Sequence, residues 1–291
     1  MAPVTFHLIS VTDGHAFLDT IRSAPADAQP YYIGHCEHWI HSPKASLNAL
    51  TGTGPEMQKW DYFVIAKSEP HDHLALPSYL QGNPTISIHW SITAPVDDTM
   101  LSALTEENAR RSSITPATLP PGWSPSDFSG LTASSPPSDL EASLALTAIP
   151  LGSSKQSPSK DLKSFISTFG QSHTGPVSMF NIIACQPGER TRFYGYVAYF
   201  GETIGSRYGG EAQILGAGVT DWSSRQAEGV EVADPKADGS AVWEDVALVW
   251  YPSIWHFGKM LDDPDYAMAD RKFKVGTIHD NPILCCTEVV L

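Results

Sequence analysis

Hydrophobic positions change period along this chain. Residues 4–11, VTFHLISV, form an apolar, β-branched run, and in the DGHAFLDTIRS that follows Phe17, Leu18 and Ile21 recur at helical spacing, so the pattern predicts a strand and then a helix. PYYIGHCEHWIH and WDYFVIA, on either side of the Gly-rich TGTGPE, carry the aromatic and β-branched residues of strands. LPSYL reads as a short helix and TISIHWSI as a further strand, which gives the order β-α-β-β-α-β.

The same order returns after residue 176. VSMFNIIACQ, EAQILGAGVT and EDVALVWYP are predicted strands, and ILCCTEVV closes the set. In RTRFYGYVAYFGETIGSRYGG, Phe193, Val197, Phe200 and Ile204 form one helical stripe, ended by Gly209 and Gly210. SIWHFGKMLDDPDYAMADRKF is a helix restarted at Pro264, because Asp263 can cap and proline suits a first helical turn. Local matches point to duplication: FHLI at 6–9 stands against FNII at 180–183, and Trp60-Asp61 against Trp243-Glu244 ahead of each third strand.

Three segments are therefore expected: a unit at 1–111, a Ser/Thr/Pro-rich connection with short helices at 112–175, and a unit at 176–291. Residues 97–111 read as one helix and 112–138 as loop. Residues 139–149 read as a short amphipathic helix or an extended crossing. Leu162, Phe165, Ile166 and Phe169 form a helical stripe, and 223–240 read as an insertion between strands.

At 291 residues, 42% apolar and only 17% charged, the chain can bury a core and is not expected to be disordered. A formal charge of -14 leaves no basic patch for a phosphate backbone or an anionic membrane, so nucleic acid and lipid partners are set aside. MAPVTFHLISV lacks the basic and long apolar regions of a secretory signal, and no window approaches the ~20 apolar residues of a membrane span. A cytoplasmic protein is expected. Cysteines 36, 185, 285 and 286 show no CxxC spacing and read as buried strand thiols. The lack of GxSxG, GxxxxGK[ST], GxGxxG after a strand and the kinase set disfavours serine hydrolysis and nucleotide-driven chemistry.

HCEHWIH at 35–41 raises the question of a metal. On a strand His35, Glu37, Trp39 and His41 face one way and Cys36, His38 and Ile40 the other, with His35 and His41 about 20 Å apart, so they cannot share one ion. A site would need ligands such as His71, His73 or His89, and no HExxH or paired-cysteine pattern supplies that convergence. No metal and no cofactor is expected.

VSMFNIIACQ, the Tyr-rich FYGYVAYF, GGEAQILGAG, WEDVALVWYPS and the helix containing DDPDYAMADRK resemble, over residues 176–291, a small bacterial-type domain of unknown function in the dimeric α+β barrel superfamily. In that superfamily two ferredoxin-like units pair their sheets around an internal cavity. The first half resembles it in element order. The resemblance implies an α+β protein of two ferredoxin-like βαββαβ units forming an intramolecular barrel, with an aromatic-rich pocket for a small apolar or phenolic molecule. Members of the superfamily include muconolactone-type isomerases, polyketide cyclases, cofactor-free oxygenases, decarboxylases and haem enzymes, so fold alone selects no reaction. The connection resembles those of filamentous-fungal proteins, which makes secondary metabolism a natural setting.

Within that frame TISIHWSI alternates, with Ile86, Ile88, Trp90 and Ile92 expected against helices and Ser87, His89 and Ser91 expected to face the cavity. His89 is then a candidate general base, since imidazole titrates near neutrality. His7 and Asn181 are matching polar residues inside apolar runs, and a buried polar group needs a partner or a ligand. Arg207, at a helix C-terminus, could hold a carboxylate or phenolate. Tyr196, His38 and Trp250 are further candidates for substrate contact. The expected function is a cofactor-independent isomerase, cyclase or oxygenase, with His89 or His7 as base and Asn181 or Arg207 polarising an oxygen. The alternatives are a non-catalytic ligand-binding or structural barrel, and haem binding through a pocket histidine. A homodimer through exposed sheet edges is a further option.

Overall fold

The computed structural model describes residues 2–43, 59–106, 158–226, 231–233 and 243–291. The first half runs β1 (Ala2–Val11), α1 (Gly14–Arg22), β2 (Tyr32–His41), β3 (Tyr62–Lys67), a single 3-10 turn (Ser78–Leu80), β4 (Ile86–Val96) and α2 (Asp98–Glu106). The second half runs α3 (Pro158–Ser172), β5 (Val177–Cys185), α4 (Arg190–Tyr199), β6 (Glu211–Ala217), β7 (Asp221–Gln226), β8 (Glu231–Ala233), β9 (Asp245–Tyr251), α5 (Ile254–Leu261), α6 (Pro264–Ala269), β10 (Ile278–Asp280) and β11 (Ile283–Glu288).

Eight antiparallel strands close into a barrel in the ring order β4-β1-β3-β2-β11-β5-β9-β6. β4 pairs with β1 along its length, and Gly216 of β6 meets Val96 of β4 to shut the ring. Read around the ring in one direction, the halves carry one plan: β4-β1-β3-β2 in the first and β11-β5-β9-β6 in the second, with the first and third strands of each central. The halves also share an anchoring device. Asp61 N–H donates to Ile9 O (2.9 Å) and Asp61 Oδ2 accepts from Val11 N–H (2.8 Å). In the second half Glu244 N–H donates to Ile183 O (2.8 Å) and Glu244 Oε2 accepts from Cys185 N–H (2.9 Å).

Closure turns each strand's alternation into an inside and an outside. The inner cluster takes Val4, Phe6 and Leu8 from β1, Phe63 and Ile65 from β3, Trp90 and Ile92 from β4, and Phe180, Ile182, Val246 and Leu248 from the second half. At its centre Phe180 stacks on Phe63 at 4.2 Å and on Phe6 at 5.8 Å, so both halves share one core. Leu101 and Leu104 of α2 join it. Outside, α1 and the segment to Leu80 cover the first half with Phe17, Ile21, Leu76 and Leu80 over Ile9, Val64 and Ala66. The remaining helices cover the second half. There Trp255 Nε1 donates to Gly170 O (3.1 Å), and a Cβ at Gly170 would stand 2.4 Å from the indole, so α3 docks on α5 only through glycine.

Several expectations change in detail. LPSYL forms only the one 3-10 turn. Two register shifts against β11 break the alternation of β2, so Cys36 packs inward while His38, two residues on, stacks outward on Phe165 at 4.3 Å. The insertion expected at 223–240 contains most of β7 and all of β8, and β7 extends the ladder on β4 from Thr93 to Ile88. The predicted loop at 112–138 and segment at 139–149 lie outside the described residues, whereas the stripe through Leu162 and Ile166 is buried on α3 as expected. Asp263 caps the restart at Pro264 by accepting from Asp265 N–H. All four cysteines are free thiols.

A shared core makes one cooperative unit. Phe63→Ala is expected to cost about 3–5 kcal/mol, and urea denaturation should show both halves losing structure in a single earlier transition; separate midpoints for the halves would contradict a common core.

Candidate functional site

His7 and Phe6 are neighbours on β1, and the pleat sends Phe6 into the barrel and His7 out beneath the α1 layer. On β4 the same rule corrects the expectation for TISIHWSI. Trp90 and Ile92 belong to the barrel interior, and His89, Ser91 and Thr93 lie on the outer face, because closure of the ring gives the larger side chains to the shared core. β1 pairs His7 with Ser91 and Ile9 with His89, which brings both predicted bases together on that face.

His7 is fully buried and His89 is 4% exposed. Their rings lie 6.3 Å apart at 65°. His7 Nδ1 is 2.8 Å from Ser91 Oγ, while His7 Nε2 is buried with no hydrogen-bond partner among the described residues. Burial, reinforced by the His89 charge, holds His7 well below the usual imidazole range. It is therefore neutral at pH 7, and its tautomer decides whether Nε2 offers a lone pair or a proton.

Beside the pair a hydroxyl knot fastens the covering segment. Thr5 and Thr93 both donate to His73 O, at 2.6 and 3.1 Å, and Thr5 Oγ1 lies 2.7 Å from Ser68 Oγ. The Tyr79 hydroxyl, in the same segment, is also buried and unpartnered among the described residues. The knot was not foreseen; its signal is the polar residues spaced by two on β1 and β4, Thr5 and His7 against Ser91 and Thr93.

The other predicted residues do not join this site. Asn181 is on the matching outer face of the second half, but its Nδ2 donates to Met179 O at 2.9 Å. Arg207 is held by Asp263 (2.6 Å) and Asp265 (3.0 Å). Asp263 also accepts from the Tyr208 hydroxyl, and although burial opposes it, these contacts keep its carboxyl below the usual range. Tyr196 lies under Lys274 Nζ, 4.4 Å from the ring centroid, and that ammonium stands 3.5 Å from the buried Asp270 carboxylate. His38 stacks on α3, and Trp250 sits on the barrel's inner face. No three His, Cys, Asp or Glu side chains gather as a metal site among the described residues. A haem does not fit the histidine pair, since Phe17, Ile21 and Leu80 are fully buried in the layer that covers it.

Two buried imidazoles give a stability signature. Burial pushes His256, whose Nδ1 is 2.8 Å from Ser253 Oγ, down to about 4, and His7 moves the same way. A histidine with a depressed folded pKa contributes stability that is complete above the unfolded value of about 6.5 and lost as pH falls through the folded one. The urea midpoint should accordingly fall between about pH 7 and about pH 4, and His256→Gln should flatten that decline; an unchanged slope in the variant would mean the imidazole is not buried neutral.

No protein-family model matches the sequence, and no curated protein matches it. Among solved structures the chain is similar to a protein of unknown function from Rhodopseudomonas palustris, at 20% identity and a TM-score of 0.32, over 43% of this chain and 93% of that one.

Proposed function

We propose that the chain is a tandem duplication of a ferredoxin-like unit, joined as an intramolecular dimeric α+β barrel, and that it acts on a small apolar or phenolic molecule at the His7–His89 pair. The repeated strand order, the paired Asp61 and Glu244 anchors and the Phe6–Phe180 stack support duplication. The chemistry rests on one observation: His7 Nε2 is buried without a hydrogen-bond partner among the described residues while Nδ1 is held by Ser91. An unsatisfied buried nitrogen costs about 1–3 kcal/mol, and a ligand hydroxyl or carbonyl meeting it would recover that cost.

In this reading His7 takes or gives the proton and His89 lines the site beside it, in isomerisation, cyclisation or oxygenation without a cofactor. Ser91 fixes the orientation of the His7 ring. The setting is secondary metabolism. A second reading, ligand binding without catalysis, is favoured by the low basicity that burial imposes on His7.

His7→Gln separates the two. Native mass spectrometry should find a small aromatic or apolar passenger on the purified protein, and 1-naphthol should shift the His7 imidazole 15N resonances. If the variant keeps 1-naphthol and loses at least tenfold in turnover of the passenger, His7 is the base; if binding alone is lost, the site is a binding site. An unchanged variant, with imidazole resonances that ignore 1-naphthol, would remove the histidine pair from the function.

A further inference from the structure

A different set of buried polar groups lies inside the barrel, across the sheet from the histidines. Trp250 follows Val246 and Leu248 along the inner face of β9, and Ser178 precedes Phe180 and Ile182 on β5. These two are register partners. Gln213, at the bulge of β6, accepts through Oε1 from the Ser178 hydroxyl at 3.0 Å. Tyr32 of β2 packs on Phe63 at 5.8 Å, and its hydroxyl comes beside Ser178 without forming a good hydrogen bond. All four are buried, at 2–3% exposure.

Three donors here make no well-formed hydrogen bond among the described residues: Gln213 Nε2, Trp250 Nε1 and the Tyr32 hydroxyl. One such group could be a local imperfection. Three on neighbouring side chains of one barrel interior mark a place where acceptor oxygen is missing. Their character sets the ligand's charge. None is a cation, burial holds the Tyr32 phenol well above its usual range, and the Cys286 thiol and Glu288 push it further the same way. An anion would meet a desolvated, slightly negative surround with no counter-charge. A neutral carbonyl oxygen accepts two or three such donors without that cost.

We propose that this end of the barrel, where β2, β5 and β6 begin and β9 ends, binds a small neutral carbonyl compound. Its oxygen is held by Trp250 Nε1, Gln213 Nε2 and Tyr32, and its flat apolar body points toward the Phe63–Phe180 stack. The site is independent of the histidine pair, which lies on the other face of the sheet.

Acetophenone is the test ligand, with benzoate as its charged counterpart of similar size. In 15N-labelled protein the Trp250 indole resonance, identified by its loss in Trp250→Phe, should move downfield and saturate with a Kd below about 1 mM. The Trp255 indole, which already donates to Gly170 O, should stay. Benzoate should bind at least tenfold more weakly, Gln213→Met should weaken acetophenone tenfold or more, and His7→Gln should leave it unchanged. Should Gln213→Met fail to fold, Tyr32→Phe removes only an oxygen and carries the same expectation. A Trp250 resonance indifferent to acetophenone at its solubility limit, equal binding of benzoate, or full affinity in the folded variants would each overturn the proposal.

Discussion

The pleat of β1 places Phe6 and His7 side by side in the chain and on opposite sides of a closed sheet, and much of the molecule follows from that separation. Phe6 is committed to the inside by its stack with Phe180, and Phe180 is committed in turn by its stack with Phe63. A slip of one residue in the β1–β4 register would exchange Phe6 for His7 in the core and expose the aromatic ring to the helical layer. Register, core and histidine placement are thus one constraint. The Asp61 and Glu244 anchors secure it further by pinning the third strand of each half to the end of its first strand.

Much of the architecture was legible because period-2 runs such as VTFHLISV and VSMFNIIACQ are unambiguous, and because Phe17 and Ile21, or Leu162 and Ile166, repeat at helical spacing. The sense of each face was not. In TISIHWSI both faces are compatible with burial, since the outer face of a covered barrel strand is as dry as the inner one; Trp90 at 0% and His89 at 4% exposure differ in direction, not in burial. Alternation reports two faces without saying which is inside. On β2 even alternation failed, because Glu37 and Ile40 are extra residues opposite an unbroken β11, and nothing in the hydrophobic pattern of residues 32–41 marks where such a bulge falls.

For the candidate site, polar residues inside apolar runs were the informative signal, and it worked for His7 and His89. It applied equally to Ser178 and Gln213, which sit in predicted strands, are buried and went unremarked. The charged candidate, Arg207, was the less reliable one: Asp263 and Asp265 already answer it within the chain. Lys274 and the buried Asp270 pair in the same way, as the cost of burying a charge leads one to expect.

That contrast divides the two halves. On the outer face of the second, the residue that matches His7 is answered inside the chain: Asn181 donates to its own strand, and nearby Ser253 meets His256 and Arg207 meets Asp263. On the outer face of the first, hydroxyls satisfy one another around His73 O, yet the nitrogen at the centre of the sheet is left open. Both outer faces are sealed by an apolar layer, so the difference is not one of exposure. At the matched positions His7 and Asn181 it is a difference in whether the neighbouring groups suffice. In the first half they do not, and an imidazole held by one hydroxyl, whose second nitrogen has no partner among the described residues, is matched by a group those residues do not supply.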